Sequence, residues 1–545
     1  MNLDIKQLIA RGDSLLSQRG NLLSFWQDIS EQFFPERSQF TAGTTPGEDF
    51  AADLMSSYPL IVRRELSNAV AAMLRPRDQQ WGTITVERDD LLDQSGKAWL
   101  EWATKVQWRH MYNRHAMFVR ATKEGDADFV SFGQTVITRE INWARAALLY
   151  RCWHLKDCAW AEDVTGQVDE MHINWTPKAK ELVDAFPKTV HQNIVRMAEQ
   201  EPYSEVKCRR IYVPADVYRP EKQLRKLPYT VVYVDVQNQT VLQEGGRQNR
   251  GYSCPRWQTV SGSPYAYSPA VVAALPDARL LQAMTLTLLE AGEMAVRPPV
   301  IGKQDLMRSD ANIYAGGITW AHAAEDTRLQ DVLAPIYQEK SGLPIGFDML
   351  QDLRAQLADA FYLNKLGLPP VETKGEMTAY ETAERLKEWI RSAMPLFEPM
   401  EQEYNGDVCE GTFDDLLHVG AFGPLEDIPE SIRGEEVRFR FESPLHENIE
   451  RKKAHIFLEA KELIMEAIEL DPSAAALMDA RGTLRDALGA IGVEAKRMRS
   501  EEEVEAIANA AADAAEAEEA TQQIAGAGQA AEAVGKGKKA LEAAA

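Results

Sequence analysis

The sequence predicts a mostly helical α+β protein of several lobes, in which two long helices flank a small insert. Three observations predict it. Residues 3–265 mix helical and period-two patterns, residues 277–296 and 347–366 each carry one apolar stripe, and residues 445–510 return to helical patterning. A chain of 545 residues has room for two to four such lobes.

Residues 3–34 read as helix because Leu8, Leu15, Leu22, Phe25, Trp26, Ile29 and Phe33 share a face, and Pro35 ends the run. Residues 41–48 form a polar loop containing Gly and Pro. Residues 59–74 are helical up to Arg75-Pro76-Arg77. Trp81 to Val86 alternates as a strand, and residues 90–114 return to helix with Trp99, Trp102 and Trp108 expected in the core. From 131 to 260 the period shifts toward two. Strands are expected at 134–139, 149–155, 160–164 and 167–173, and a hairpin at 229–236 and 240–243 turns through Gln237-Asn238-Gln239. A helical piece near 178–199 interrupts them. Residues 1–265 therefore read as one α+β lobe.

In the first long helix Leu281, Met284, Leu288, Ala291 and Ala295 recur at three- and four-residue steps. In the second, Leu350, Leu353, Leu357 and Phe361 do the same. Each of these helices, about 20 residues long, extends roughly 30 Å. Arg297-Pro298-Pro299 ends the first and Leu343-Pro344-Ile345-Gly346 opens the second. The insert between them carries turn signals at Asn312 and Gly316-Gly317. A stalk with a tip suits a ring of identical subunits lining a channel better than it suits a single-chain enzyme.

Gly367-Leu368-Pro369-Pro370 breaks the second helix, and residues 371–376 form a short loop. A further helix runs to about Tyr404, opened by a capping box of Thr378 and Glu381 and kinked at Pro395 and Pro399. Residues 436–441 alternate as a strand expected to return to the first lobe's sheet. Helices follow at 445–470 and 472–488. The tail from Glu501 reads as solvated helix or as disorder, and its composition does not choose between them.

A formal charge of −23 argues against tight, indiscriminate nucleic-acid binding, which needs a basic surface. DNA could still pass by without sticking. Five scattered cysteines suit a reducing compartment better than a disulfide framework. The first residues lack a signal pattern and no apolar run approaches 18 residues, so a soluble, cytosolic chain without a membrane span is expected.

No catalytic constellation stands out. Cys152, His154 and Cys158, with His172 nearby, match no usual zinc spacing. Gly528 to Lys536 has two residues too many between its glycines for a phosphate loop and no hydroxyl residue after its lysine. Gly262-Ser263-Pro264 lacks the second glycine of a nucleophile elbow. No enzyme activity, metal or cofactor is expected.

Several stretches in order resemble the portal (head-to-tail connector) proteins of short-tailed, double-stranded DNA bacteriophages. They are Phe25-Trp26-Gln27-Asp28-Ile29 running to Pro35, and Leu66 to Leu74 followed by Arg75-Pro76 and Gln80-Trp81. Next come Gly262-Ser263-Pro264-Tyr265-Ala266-Tyr267-Ser268-Pro269 with Leu275-Pro276-Asp277-Ala278, and Phe441-Glu442-Ser443-Pro444-Leu445. The last is Leu488-Gly489-Ala490-Ile491-Gly492-Val493 with Arg499-Ser500-Glu501-Glu502-Glu503-Val504. The chain departs at Ala266, where the family often has glycine, which affects the local turn and not the helix after it.

The resemblance implies a portal-type fold: an α+β wing at 1–265, a first stem helix within 266–296, a clip at 297–342 and a second stem helix within 343–366. It further implies a tunnel loop at 367–376, a kinked helix returning to the wing at 377–444, a helical crown at 445–510 and a tail at 511–545. It implies a ring of about twelve copies at one capsid vertex, through which double-stranded DNA is packaged and ejected. Partners would be the terminase large subunit, tail adaptor and nozzle proteins, capsid and scaffolding proteins, and internal core or ejection proteins. Location would be the virion, with the host cytoplasm during assembly. Lys374, and with less support Lys365, would sit at the tunnel loop and touch phosphates, with Glu372 and Glu376 flanking Lys374. Lys374 reads equally as an ordinary surface lysine, and Lys365 reads more readily as one. The alternatives are another ring-shaped head-tail adaptor or, in a different class, a DNA-packaging enzyme.

Overall fold

The computed structural model describes residues 3–77 (without 44 and 46), 80–87, 92–142, 145–218, 227–296, 300–302, 333–335, 342–366 and 400–441, and short stretches between 458 and 511. The chain begins with α1 (Ile5–Ser17), α2 (Gly20–Phe33), α3 (Tyr58–Leu74), β1 (Gly82–Val86), α4 (Gln94–Met111) and α5 (Phe118–Phe132). Then come β2 (Val136–Asn142), β3 (Ala147–Trp153), β4 (Cys158–Glu162), β5 (Val168–Trp175), α6 (Ala179–Ala185) and α7 (Gln192–Gln200). They are followed by β6 (Cys208–Pro214), β7 (Tyr229–Asp235), β8 (Thr240–Arg247), β9 (Tyr252–Ser253), β10 (Gln258–Thr259) and β11 (Ala266–Tyr267). The remainder comprises α8 (Pro269–Val296), β12 (Val300–Gly302), β13 (Leu333–Pro335), α9 (Gly342–Ala360), α10 (Leu363–Leu366), a π-helix (Glu401–Gly406), α11 (Asp407–Val419), β14 (Val437–Phe441) and α12 (Ala480–Ala490). These elements form two compact units, residues 1–81 with 107–419, and residues 82–106 with 420–545.

The first unit holds an antiparallel five-stranded sheet in the order β4-β5-β6-β7-β8 and a three-stranded sheet β3-β2-β9. Its main core gathers Trp26 and Phe33 of α2, Phe129 and Phe132 of α5, and Trp160, Tyr212 and Tyr252 from the strands. Such large rings dominate the apolar area a core buries. The same core continues into α8 and α9 through Leu281, Leu353, Leu357 and Phe361.

Where sequence and structure differ, polar residues at buried positions explain most of it. The single helix expected over 3–34 is two, because Arg19 at the break donates to the carbonyls of Leu155, Lys156 and Cys158. Helix α5 escaped the sequence pattern because its buried face includes Gly125, Asp126, Asp128 and Ser131 as well as Phe129 and Phe132. Strand β6 escaped it because Arg209 and Arg210 sit buried in its middle. The helical piece near 178–199 is two short helices. Helix α8 starts earlier than expected, at Pro269, and carries Pro276 within it. The second long helix breaks between α9 and α10, where Tyr362 takes a left-handed φ of 58°. The helix expected to stop near Tyr404 runs on through the π-turn to Val419.

The π-turn seats on a buried polar network. Arg75 pairs with Asp126 and donates to Asn405 Oδ1 at 2.9 Å, while Asn405 Nδ2 donates to Leu74 O at 3.0 Å. Burial, the largest single influence, would lower the Arg75 pKa, but the charge and hydrogen bond of Asp126 together with Tyr404 and Tyr112 raise it. Farther along α11, Arg247 donates to Asp415 at 2.6 Å, Arg139 to the carbonyl of Asp407 at 2.9 Å, and Tyr150 and Thr412 share a 2.7 Å bond. Gln107 donates to the Cys409 carbonyl at 3.0 Å.

A second polar knot fastens α1 to the five-stranded sheet. Arg11 pairs with buried Glu170, which also takes a 2.9 Å bond from His172 Nε2, and Arg209 reaches Ile9 O at 3.0 Å and Asp13 at 2.7 Å. A Cβ on Gly12 would lie 2.5 Å from both Arg209 Nη1 and His172 Nδ1, so α1 can lie this close only with glycine there. Burial keeps His172 neutral, its pKa lowered despite the Glu170 bond. His154 Nδ1 accepts from Lys156 N at 3.2 Å, and burial pushes its pKa down to about 3. Among the described residues no group of three or more His, Cys, Asp or Glu converges on one point. All five cysteines are free.

In the second unit β1 pairs antiparallel with β14, from Gly82 opposite Phe441 to Val86 opposite Val437. The return strand thus makes a separate two-stranded ribbon and does not join the larger sheets. Trp99 and Trp102 pack on Phe422, yet Trp102 is 45% exposed, contrary to its expected place in the core. Of the expected C-terminal helices the structure describes α12 and a few helical residues between 458 and 465. The capping box at Thr378 and Glu381, the kinks at Pro395 and Pro399, the turn signals at Asn312 and Gly316-Gly317, and Gly528 to Lys536 lie outside the described residues.

Candidate functional site: a helix pair mounted on the α+β core

Helix α8, with 28 residues, extends about 42 Å, and α9, with 19 residues, about 28 Å. They meet through the predicted stripes, Leu281, Met284 and Leu288 against Leu350, Leu353, Leu357 and Phe361. Gly346 sets the closeness of the upper contact, since a Cβ there would overlap the Leu288 side chain. Antiparallel β12 and β13 join the ends of the insert, with Val300 opposite Pro335 and Gly302 opposite Leu333.

The base of the pair is fastened in four places. Gly133, in a left-handed φ of 77°, caps α5 and lies flush against the Tyr267–Ser268 peptide, where any Cβ would collide with backbone. Gln134 Oε1 accepts from Ala266 N at 2.8 Å, and the Ser268 hydroxyl accepts from Val271 N at 3.3 Å to cap α8. Gln282 Oε1 accepts from the backbone of Met55 and Ser56 at 2.8 and 2.7 Å, and its amide returns a 2.9 Å bond to Ser56 O. Phe33 packs on Phe361 with ring centroids 5.4 Å apart.

The far half is different. Leu289 is 57% exposed on α8, Val296 81%, and Phe347 on α9 57%. Leu286, Met294, Ile345 and Met349 are exposed beside them. Helix α8 is long and apolar enough to cross a membrane by length and composition alone, with a mean hydropathy of 1.2 in its best window, 28% of which is buried. Asp277, Arg279, Glu290 and Glu293 lie within this helix, so the sequence shows no uninterrupted apolar run of 18 residues.

The pair carries six acidic side chains, Asp277, Glu290, Glu293, Asp348, Asp352 and Asp359, and two arginines. Both arginines are engaged at the base, Arg279 with Asp28 at 2.9 Å and Arg354 5.8 Å over the Tyr58 ring. Both remain exposed there, so it is the outer half, with Glu290, Glu293 and Asp348 beside its apolar side chains, that presents negative charge.

Lys365 lies in the four-residue α10. Lys374, Glu372 and Glu376 fall outside the described residues. The mounting residues Gln282, Arg279 and Gln134 were missed from sequence. The available signal was two polar side chains three apart, at 279 and 282, on an otherwise apolar helix.

A helix pair with its base sunk in a core and its outer half uncovered defines a class of protein: a structural subunit that completes its surface by assembling with others. The chain belongs to the bacteriophage head to tail connecting protein family, whose model matches residues 5–498. It is 23% identical over 456 residues to the "Probable portal protein" of Bordetella phage BPP-1, a match covering 81% of this chain and 79% of that one. It is 19% identical over 445 residues to the "Portal protein" of Salmonella phage epsilon15, covering 80% and 78%. Among solved structures it resembles a chain of the virion of a native gene transfer agent particle, with 9% identity, a TM-score of 0.35 and coverage of 79% and 94%. A chain in the neck of an empty particle of that kind aligns at 11% identity with the same TM-score of 0.35, covering 78% and 93%. The assignment rests on the span of the family match.

Proposed function

We propose that this chain is the portal subunit of a phage particle. About twelve copies close into a ring at one capsid vertex, and the genome enters and leaves through its centre. The observation that carries this reading is the helix pair. Its polar ties lie at the base, its outer half is apolar and uncovered, and its cations are withdrawn to the wing side. Neighbouring copies would cover the apolar faces of α8 and α9. An acidic lining would let DNA slide without holding it.

In this reading residues 1–265 are the wing, 297–342 the clip that docks terminase during packaging and tail adaptor and nozzle proteins afterwards, and 445–510 the crown. Capsid, scaffolding and internal core or ejection proteins would meet the ring from the head side. Residues 367–376 form the tunnel loop, with Lys374 as the phosphate contact tempered by Glu372 and Glu376, and Lys365 at its threshold. Assembly would take place in the host cytoplasm, and no catalytic step belongs to the chain. The test is negative-stain imaging with native mass measurement of the purified protein. Rings of about twelve with a central hole and a protruding stalk are expected. A monomer that hydrolyses ATP or cuts DNA would overturn the reading.

A further inference from the structure

Helix α1 lies on the five-stranded sheet with a hinge at one end. Arg19 fixes the hinge by donating to the carbonyls of Leu155, Lys156 and Cys158, and Gly20 beside it has open space where a Cβ would stand. Beyond the hinge α1 is held down in two ways. One is a small apolar contact, Leu8 and Ile9 against Ile211, Val213, Val232 and Val234, extended by the 2.9 Å bond from Leu3 N to Val217 O. The other is the polar knot around His172.

That knot accommodates only a neutral imidazole. His172 Nε2 donates to Glu170 at 2.9 Å, which leaves Nδ1 as the atom that would take a proton. Nδ1 is buried without a hydrogen-bond partner, against the Gly12 backbone and beside Arg209 Nη1. The α1 carbonyl of Ile9 already accepts from Arg209, and Asp13 pairs with the same guanidinium. The charged groups around the ring are Arg11 and Asp13 from α1, Glu170 from its own strand and Arg209 from β6, while its cross-strand neighbours Ala159 and Ile211 are apolar. A proton on Nδ1 would therefore place a third cation beside two arginines and point a new N–H at the helix backbone. Burial lowers the His172 pKa, and Arg209 and Arg11 lower it further against the pull of Glu170. Although burial opposes it, the bonds from His172 and Arg11 lower the Glu170 pKa and keep that carboxylate ionised. The strand that carries His172 is hydrogen-bonded on both edges, to β4 and β6, so α1 is the wall that can yield.

We propose that α1 is an acid-released latch: protonation of His172 at Nδ1 lifts the helix from the sheet about the Arg19 hinge and uncovers the apolar face of Ile211, Val213, Val232 and Val234. The imidazolium then reaches water through Nδ1 and keeps its bond to Glu170. Docking is complete above about pH 6.5, the ordinary histidine value, and weakens as pH falls below it, by up to about tenfold per pH unit for one proton.

The test is hydrogen exchange of the full chain at pH 7 and pH 5, corrected for the intrinsic pH dependence of exchange. The opening equilibrium of the amides between Leu8 and Ser17 should rise at least fivefold relative to those of α2 and α5. His172→Gln, whose amide can keep the Glu170 bond but takes up no proton, should hold α1 equally at both pH values. This variant also separates His172 from Asp169, a neighbour of Arg11 whose pKa burial raises. Gly12→Ala, whose Cβ would overlap both Arg209 and His172, should free α1 at pH 7 already, at least tenfold over the parent, and should remove its pH response. That second variant decides the matter if His172→Gln does not fold, and circular dichroism checks that both keep the sheet. Equal protection of α1 at the two pH values overturns the proposal. So does a rise shared equally by α2 and α5, a pH response that survives His172→Gln, or a Gly12→Ala helix as protected as the parent's.

Discussion

The α+β core and the outer half of the helix pair solve the problem of burial in opposite ways. In the core charged groups are drawn inside and paired, as Arg75 is with Asp126 and Asn405, and Arg247 with Asp415 through one carboxylate oxygen. In the outer half of α8 and α9, large apolar side chains such as Leu289 and Phe347 stand in solvent. A region that satisfies its own charges is finished as a monomer. One that leaves leucine and phenylalanine exposed is finished only by another surface.

The largest break in that contrast should come from Arg75→Met, which leaves the Asp126 carboxylate buried alone. A loss of about 3–5 kcal/mol is expected, read from the urea midpoint. Gly133→Ala comes next: it forces a side chain into a left-handed conformation against the Tyr267–Ser268 backbone. A loss of roughly 2–3 kcal/mol is expected, with the base of α8 loosened in hydrogen exchange.

Acid should weaken the core more gently. The His154 pKa is lowered to about 3 in the folded chain, against 6.5 in the unfolded one. The unfolded chain therefore takes up a proton first. Stability holds above about pH 6.5 and falls as pH drops from there toward 3, by about 1.4 kcal/mol per pH unit for this residue. His172, lowered in the same direction, adds to the slope below pH 6.5. Urea titrations at pH 7 and 5 measure it, and His154→Phe should flatten the slope if the fold is retained.

The smallest stability change should come from Leu289→Asp. The subunit should melt within about 0.5 kcal/mol of the parent, because the side chain is exposed. Its native mass should nevertheless shift from ring to smaller species. A variant that unfolds the subunit, or that leaves rings intact, would erase the contrast between the two regions.

Much of this was legible in the sequence. The α8 and α9 stripes, the strands β4 and β5, the β7–β8 hairpin and the break at Arg75-Pro76 follow from periodicity and from proline chemistry. Helix α5 and strand β6 were hidden, because Asp126, Asp128, Arg209 and Arg210 read as surface residues until their partners are known. Those partners lie far away in sequence: Arg75 is 51 residues from Asp126 and 330 from Asn405. No local pattern encodes such a pair. The four fastenings of the helix pair were illegible for the same reason, since Gln282 is 226 residues from Ser56.

The π-turn at 401–406 places three consecutive residues, Tyr404, Asn405 and Gly406, inside the protein. A π-turn closes its hydrogen bonds one residue later than an ordinary helix. One extra residue has been taken up here, and Thr412 and Asp415 are counted from it. Losing or gaining a residue between Met400 and Asp415 would turn Asn405 away from Arg75 or Asp415 away from Arg247. Insertions and deletions among descendants of this gene should collect elsewhere, so the spacing across this stretch becomes a ruler by which distant relatives can be aligned when their residues no longer match.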